Sequence, residues 1–374
     1  MTRNRPAASL LSGLIVLTFA GLMFAQEAQI PQITDAKPMY KTLPNNRHLA
    51  PNSTLAVPGT TLKQWNGSFT DITKRQVHYT MVGTNPATTN ISSTIPVYII
   101  PIKMVYGSSN GNRTFDPVSA KASNGLTVVN NIIASPIFYR GVNFTQGTTN
   151  LGTTQYIDAF QRGNFWKSVQ THTGYHVYLA KPVVLPEQTI TVWAKQGSTI
   201  QNPFGTGLVG TYPINAFDSK LQAMMKNLPQ ITPNSLPLFI TTDIYLTDST
   251  GCCIGGYHSA NGGQPGGQTY AYSTYVDSLG AFSADVSAIS HEIGEWMDDP
   301  FVDNYVNCYD NSILEVGDPL EGNPVYGTFP YSHNGFTYHL QSLVFLGYFG
   351  APRSTSVHGW LAFQNDESQI CPGH

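Results

Sequence analysis

From Asn227 to Pro352 the chain has no lysine or arginine, yet it carries thirteen carboxylates there. Ten of them, from Asp285 to Glu321, fall in one short stretch. Like charges crowded without counter-ions repel, and burying them is costly unless a cation or hydrogen bonds compensate. A solvated acidic face or a bound cation are the two ways out. Other shortages narrow the function further. Lysine and arginine elsewhere are scattered in Asn/Thr-rich sequence and form no stripe, which argues against a nucleic-acid partner. After the apolar run Leu10–Phe24 there is no second run long enough to suggest a membrane span. Four cysteines in 374 residues are too few for a disulfide-dense scaffold, so the fold must rest on a hydrophobic core.

The compensating positive charge lies upstream. Residues 1–226 hold eighteen Lys/Arg against seven Asp/Glu, and the formal net charge of the whole chain is only −3. The two halves are therefore complementary and can pack against each other. Arg3 and Arg5 followed by Leu10–Phe24, with Ala25 at the cleavage position, read as a signal peptide over 1–25. The expected location is secreted or periplasmic, with no membrane span after cleavage. In that oxidising setting Cys252, Cys253, Cys308 and Cys371 are expected as two disulfides. Adjacency disfavours a Cys252–Cys253 bond, so each is expected to reach Cys308 or Cys371.

Fold class follows from texture. Residues 26–60, rich in Pro, Asn and Thr, read as a linker, pro-segment or extended arm. Residues 61–204 read as a β-rich region. Its strands are expected at Val77–Val82 and Ile95–Tyr106, the latter an edge or bulged strand because of Pro96 and Pro101. A paired set is expected at Tyr175–Ala180 and Thr189–Ala194, and short helices at Leu126–Ile133 and Thr153–Arg162. Residues 205–374 read as an α+β region. The spacing of Ile214, Phe217, Leu221, Met224 and Leu228 predicts an amphipathic helix over 213–228. Strands are expected at Pro237–Leu246, Thr269–Asp277 and Phe336–Leu346, the first two joined by a Gly-rich loop carrying Cys252, Cys253 and His258. A helix over 284–298, capped by Ser283 with Asp285 in its first turn, ends before Pro300.

That helix carries His291-Glu292-Ile293-Gly294-Glu295. Positions four apart share a helix face, so His291 and Glu295 can direct an imidazole nitrogen and a carboxylate at one ion. Glu292 stands beside the first ligand, where it can act as general base toward a water at that ion, the division of labour of the H-E-x-x-H zinc peptidases. Glu315, twenty positions on, is expected as the third ligand, and Asp318 as its neighbour orienting His291 through the other ring nitrogen. Asp298 and Asp299 are alternative ligands; the competing reading makes them the helix's terminal turn. Oxyanion or substrate contacts would come from His258, Tyr305, Tyr309, Tyr331, His333 or His339. Zn2+ is the expected cofactor, with Ca2+ or Mn2+ as alternatives for an oxygen-rich set. The bland alternative is a helix that shows these polar residues to solvent.

Ser290-His291-Glu292-Ile293-Gly294-Glu295, then Asp299-Pro300, then Glu315-Val316-Gly317-Asp318 resembles the phosphate-induced, EXORDIUM-like secreted proteins and related bacterial zincin-like proteins. The Cys252-Cys253-Ile254-Gly255-Gly256-Tyr257-His258 segment is similar to one in bacterial relatives. The match covers roughly 250–320, and Pro319-Leu320 stand where the family often has Cys. The resemblance implies an exported zincin-like fold. The expected function is an exported zinc metallopeptidase acting on protein or peptide substrates. The alternatives are a non-catalytic, metal-stabilised protein binding glycan or cell-wall material, and a β-rich adhesive protein binding calcium.

Overall fold

The computed structural model describes residues 30–44, 60–70, 74–278, 282–305, 314–321 and 327–345, together with Met1. The expected signal peptide (1–25) beyond Met1, together with Cys308, Tyr309 and Cys371, lies outside the described residues. The fold is mixed α+β and strand-rich, built on a curled half-barrel sheet of eleven strands. Its members include Val97–Tyr106, Leu236–Thr242, Gln268–Tyr275 and Gly251–Asn261, so the sheet draws from both sides of residue 204. No helix among the described residues is long and apolar enough to cross a membrane.

Strand alternation gives the sheet two apolar faces. Leu238 and Ile240 enter the core on one side with Ile289, Ile293 and Trp296, while Phe239 faces the other with Phe217 and Leu221. The amphipathic helix forms at Ile214–Asn227 and packs its expected stripe on this second face. The first face receives the helix Ser287–Asp298, which carries the H-E-x-x-E motif. All twelve of its residues are buried. It is surrounded by the sheet, by the helix Tyr156–Asn164 and by the strand Phe336–Gln341. Trp296 Nε1 donates to Thr269 Oγ1 at 2.9 Å, and Ser290 Oγ accepts from the Gln341 N–H at 2.8 Å, which fix the helix to its neighbours.

Several local expectations are corrected. Val97–Tyr106 is central, with Val183–Val184 and Leu236–Thr242 beside its first half. Gln188–Val192 and Arg113–Phe115 flank its second half. Pro101 falls where the neighbours change over, which is how an interior strand tolerates it. His176–Leu179 and Gln188–Val192 do not pair with each other. The intervening Val183–Val184 runs along Tyr98–Ile99, so the chain does not fold straight back. The Gly-rich segment is a strand, Gly251–Asn261, not a loop. The motif helix begins at Ser287 after Val286, without a side-chain cap; Ser283 donates to Tyr245 instead. Asp285 lies ahead of the helix, paired with His339 Nδ1 at 2.6 Å.

Cys252 and Cys253 are bonded to each other, against the expectation of longer-range bridges. The peptide between them is cis, and their Cα atoms lie 3.0 Å apart, so the two sulfurs meet without a second chain segment.

The expected strand Pro237–Leu246 is split at Asp243, which has φ 53°. Burial pushes its carboxyl up to about 7, against a hydrogen bond from Thr242, and nearby Asp277 adds to the rise. The folded chain thus binds a proton here that an unfolded Asp (ordinary value ~3.9) has released, so stability falls as pH rises from about 4 through 7. Asp243→Asn keeps a residue suited to positive φ and removes the charge. The side chain is only partly buried, so solvent screening leaves an expected gain on the order of 1–2 kcal/mol at pH 8 and almost none at pH 4. Urea unfolding at the two pH values checks it; a gain at pH 4 as large as at pH 8 would contradict the assignment.

Candidate metal centre

Three segments far apart in sequence meet at the motif helix. The helix supplies His291, Glu292 and Glu295; the strand Gly251–Asn261 supplies His258; the turn before Asp318 supplies Glu315. These five residues are at most 1% exposed. The solvated-face alternative therefore fails.

The donor atoms of His258, Glu295 and Glu315 all lie within 4.8 Å of one another, and so do those of His291, Glu292 and Glu295. His258 Nδ1 stands 3.5 Å from Glu292 Oε2, 3.7 Å from Glu295 Oε2 and 4.0 Å from Glu315 Oε2. His291 Nε2 stands 3.0 Å from Glu295 Oε1, the i,i+4 contact expected from the helix. None of these approaches satisfies the groups involved. Among the described residues no well-formed hydrogen bond reaches either ring nitrogen of His258 and of His291 or either carboxylate oxygen of Glu292 and of Glu315, although the Asp299 backbone lies near His258 and the Thr42 side chain near Glu315. Glu295 is better held, because the Gly317 N–H donates to its Oε1 at 3.1 Å. Buried polar atoms in native folds are nearly always satisfied, so a group of such donors converging on one point could hold a cation.

Electrostatics agree. Burial pushes Glu292, Glu295 and Glu315 well above the ordinary carboxylate range; their mutual proximity drives Glu292 and Glu315 further, and Asp318 all three. Burial also lowers His258 to about 3, with His291 contributing, so its imidazole is neutral, the form that ligates metals. The ion pairs that Glu292, Glu295 and Glu315 make among the described residues run to His258 and His291. These residues fit a divalent ion with mixed imidazole and carboxylate ligation.

Of the expected ligands, Glu295 and Glu315 fall in one grouping, with His258 as its imidazole, and His291 faces the other side of Glu295. Asp318 approaches His291 at Nε2, 3.6 Å from Oδ1, and not at the other ring nitrogen. His291 Nδ1 instead faces Gly317, where an added Cβ would collide with the ring. Asp298 points away: it accepts from Gln161 and Asn164, while burial lifts it to about 7. Asp299 accepts the Asp303 and Asn304 N–H groups at 2.9 and 3.2 Å and so closes the turn after the helix. His333 stacks on Tyr139, His339 pairs with Asp285, Tyr331 packs near Phe144, and Tyr305 is exposed. None of these four is brought to the five donors.

Two contributors were missed. Tyr40, from the segment expected as linker, pro-segment or arm, stacks on His291 with ring centroids 3.7 Å apart. Its strand, Met39–Thr42, runs parallel to Gly251–Asn261, with Thr42 opposite His258. Glu321 lies beside Tyr40 and His291, and burial lifts its carboxyl to about 8. His258 itself had a readable signal. Gly256, His258 and Ala260 alternate along the strand, placing an imidazole between two small residues on the face that meets the motif helix. At Gly256 an added Cβ would lie 2.6 Å from Glu292 Oε1.

Gly317→Ala is expected to displace His291, weakening divalent-ion affinity roughly 10–100-fold and destabilising the fold by about 1–3 kcal/mol. Zn2+ titration of the variant checks this; unchanged affinity would mean His291 is not held by that contact. No protein-family model, curated protein or solved structure matches this chain.

Proposed function

We propose that the chain is an exported, zincin-like, zinc-dependent metallopeptidase whose centre is built by His258, Glu295 and Glu315. The observation that carries this reading is the convergence of buried, unpartnered donors around a Glu that holds no hydrogen bond of its own. A Zn2+ ion bound there would polarise a substrate carbonyl. Glu292, 3.5 Å from His258, would then take a proton from the attacking water and return it to the leaving amine.

Such a site must be opened to take a peptide, and the arm is what covers it. Tyr40 is 5% exposed over His291, the Leu43 N–H donates to the His258 carbonyl at 3.4 Å, and Ser259 Oγ donates to the Leu43 carbonyl at 3.0 Å. On this reading the arm acts as a pro-segment through its Tyr40 and Leu43 contacts, and the covered protein is latent. Complete burial favours one second reading, a non-catalytic protein in which the ion is purely structural and surface residues bind cell-wall glycans.

The test compares the zinc-loaded full chain with its Tyr40→Ala variant. A chelator should strip zinc from the variant at least tenfold faster, and a mixed peptide library should be cleaved by the variant more than by the parent. Equal stripping rates would remove the arm's covering role. Faster stripping with no cleavage of any peptide would leave the structural-ion reading.

A further inference from the structure

The two donor groupings share Glu295 but use opposite oxygens of its carboxylate. Oε2 faces His258, which also approaches Glu315, and Oε1 faces His291, which also approaches Asp318. Among the described residues neither imidazole has a well-formed hydrogen bond, so a single ion beside His258 leaves His291 with only the Glu295 and Asp318 carboxylates at 3.0 and 3.6 Å, and one beside His291 leaves His258 unligated. We propose that the centre is dinuclear, with Glu295 bridging a first divalent ion held by His258 and Glu315 and a second held by His291 and Asp318. This deepens the metal-dependent reading above and rests on its metal-binding half.

The charge balance favours two ions. Glu292, Glu295, Glu315, Asp318 and Glu321 lie around the two positions, and the imidazoles bring no charge of their own when they ligate. One divalent ion offsets two of these five carboxylates, whereas two ions offset four. A carboxylate that presents its two oxygens to two metals sets them roughly 3.5–4 Å apart, the spacing of two-metal hydrolytic sites. Glu292 lies between the positions: its Oε2 is 3.5 Å from His258, and its donor atom belongs with those of His291 and Glu295. The positions differ in access. His258 and Glu315 are 0% and 1% exposed, whereas the Asp318 side chain is 34% exposed, so the second ion sits on the solvent side of the first. Tyr40 stacks on His291 and therefore covers this outer position.

The measurement is metal content per chain of the full-length protein saturated with Zn2+ and freed of excess, with electron paramagnetic resonance of the Mn2+-loaded form as a second readout. Wild type should hold two ions per chain and give a spin-coupled Mn2+ pair. His258→Ala and His291→Ala should each retain one ion and lose the coupling, and Glu295→Ala should retain fewer than either. Saturation of wild type at one ion, with an uncoupled Mn2+ signal, overturns the dinuclear proposal while sparing the metal-dependent reading. No bound ion overturns both. Two ions that both persist in His258→Ala and His291→Ala would place them elsewhere and also overturn it. If Glu295→Ala fails to fold, wild-type stoichiometry and coupling still decide.

Discussion

Stripping the protein of divalent cations is expected to lower its thermal midpoint by roughly 5 °C relative to the same chain in excess Zn2+. An ion that binds only the folded state adds about 4 kcal/mol at a thousandfold excess over its dissociation constant. The ion would also relieve the repulsion among these buried carboxylates. The effect carries a definite pH dependence. In the ion-free fold Glu292, Glu295 and Glu315 hold their protons well above the ordinary range, whereas an unfolded Glu releases them near ~4.3. The folded state thus binds more protons than the unfolded one above that pH, and ion-free stability falls as pH rises. Zinc-loaded protein lacks that loss, so the gap in midpoint should widen from pH 5 to pH 8. Calorimetry with and without chelator measures it, and coincident midpoints at pH 8 would sink the metal centre.

The second large effect concerns hydrolysis. In the Tyr40→Ala background, Glu292→Gln is expected to cut peptide cleavage by about 10²–10⁴-fold. Gln keeps the size of Glu beside Gly256, where little extra volume is tolerated, and removes only the ability to accept a proton. Zinc content should stay unchanged, because the ligands proposed on either side of Glu295 do not include Glu292. Equal cleavage by both forms would dismiss Glu292 as the base. Loss of zinc together with activity would make it a ligand instead.

Parts of this arrangement were legible in the sequence because they depend on local periodicity. The motif helix was expected over 284–298 and forms at Ser287–Asp298, and its i,i+4 pair His291–Glu295 meets as helix geometry requires. The amphipathic helix at Ile214–Asn227 was readable for the same reason. Where periodicity gives way to glycine, the reading failed. The Gly-rich segment around His258 has the composition of a loop, yet it is a strand whose glycines admit Phe282 at Gly255 and Glu292 at Gly256. Only with the strand in place does alternation turn His258 toward the carboxylates. Tyr40 had no local signal at all, since its role depends on a parallel pairing between residues more than 200 positions apart.

By itself, the sequence pointed to a cation or a solvated acidic face as the two ways to place thirteen acids without a base, and to Glu295 and Glu315 as residues that come together. The tertiary structure decided everything that depends on burial. It removed the motif helix from solvent, brought His258 to Glu295 and Glu315, and set the two imidazoles on opposite oxygens of Glu295. Charge is written residue by residue, whereas which charges lose their water is settled only when distant strands close over them.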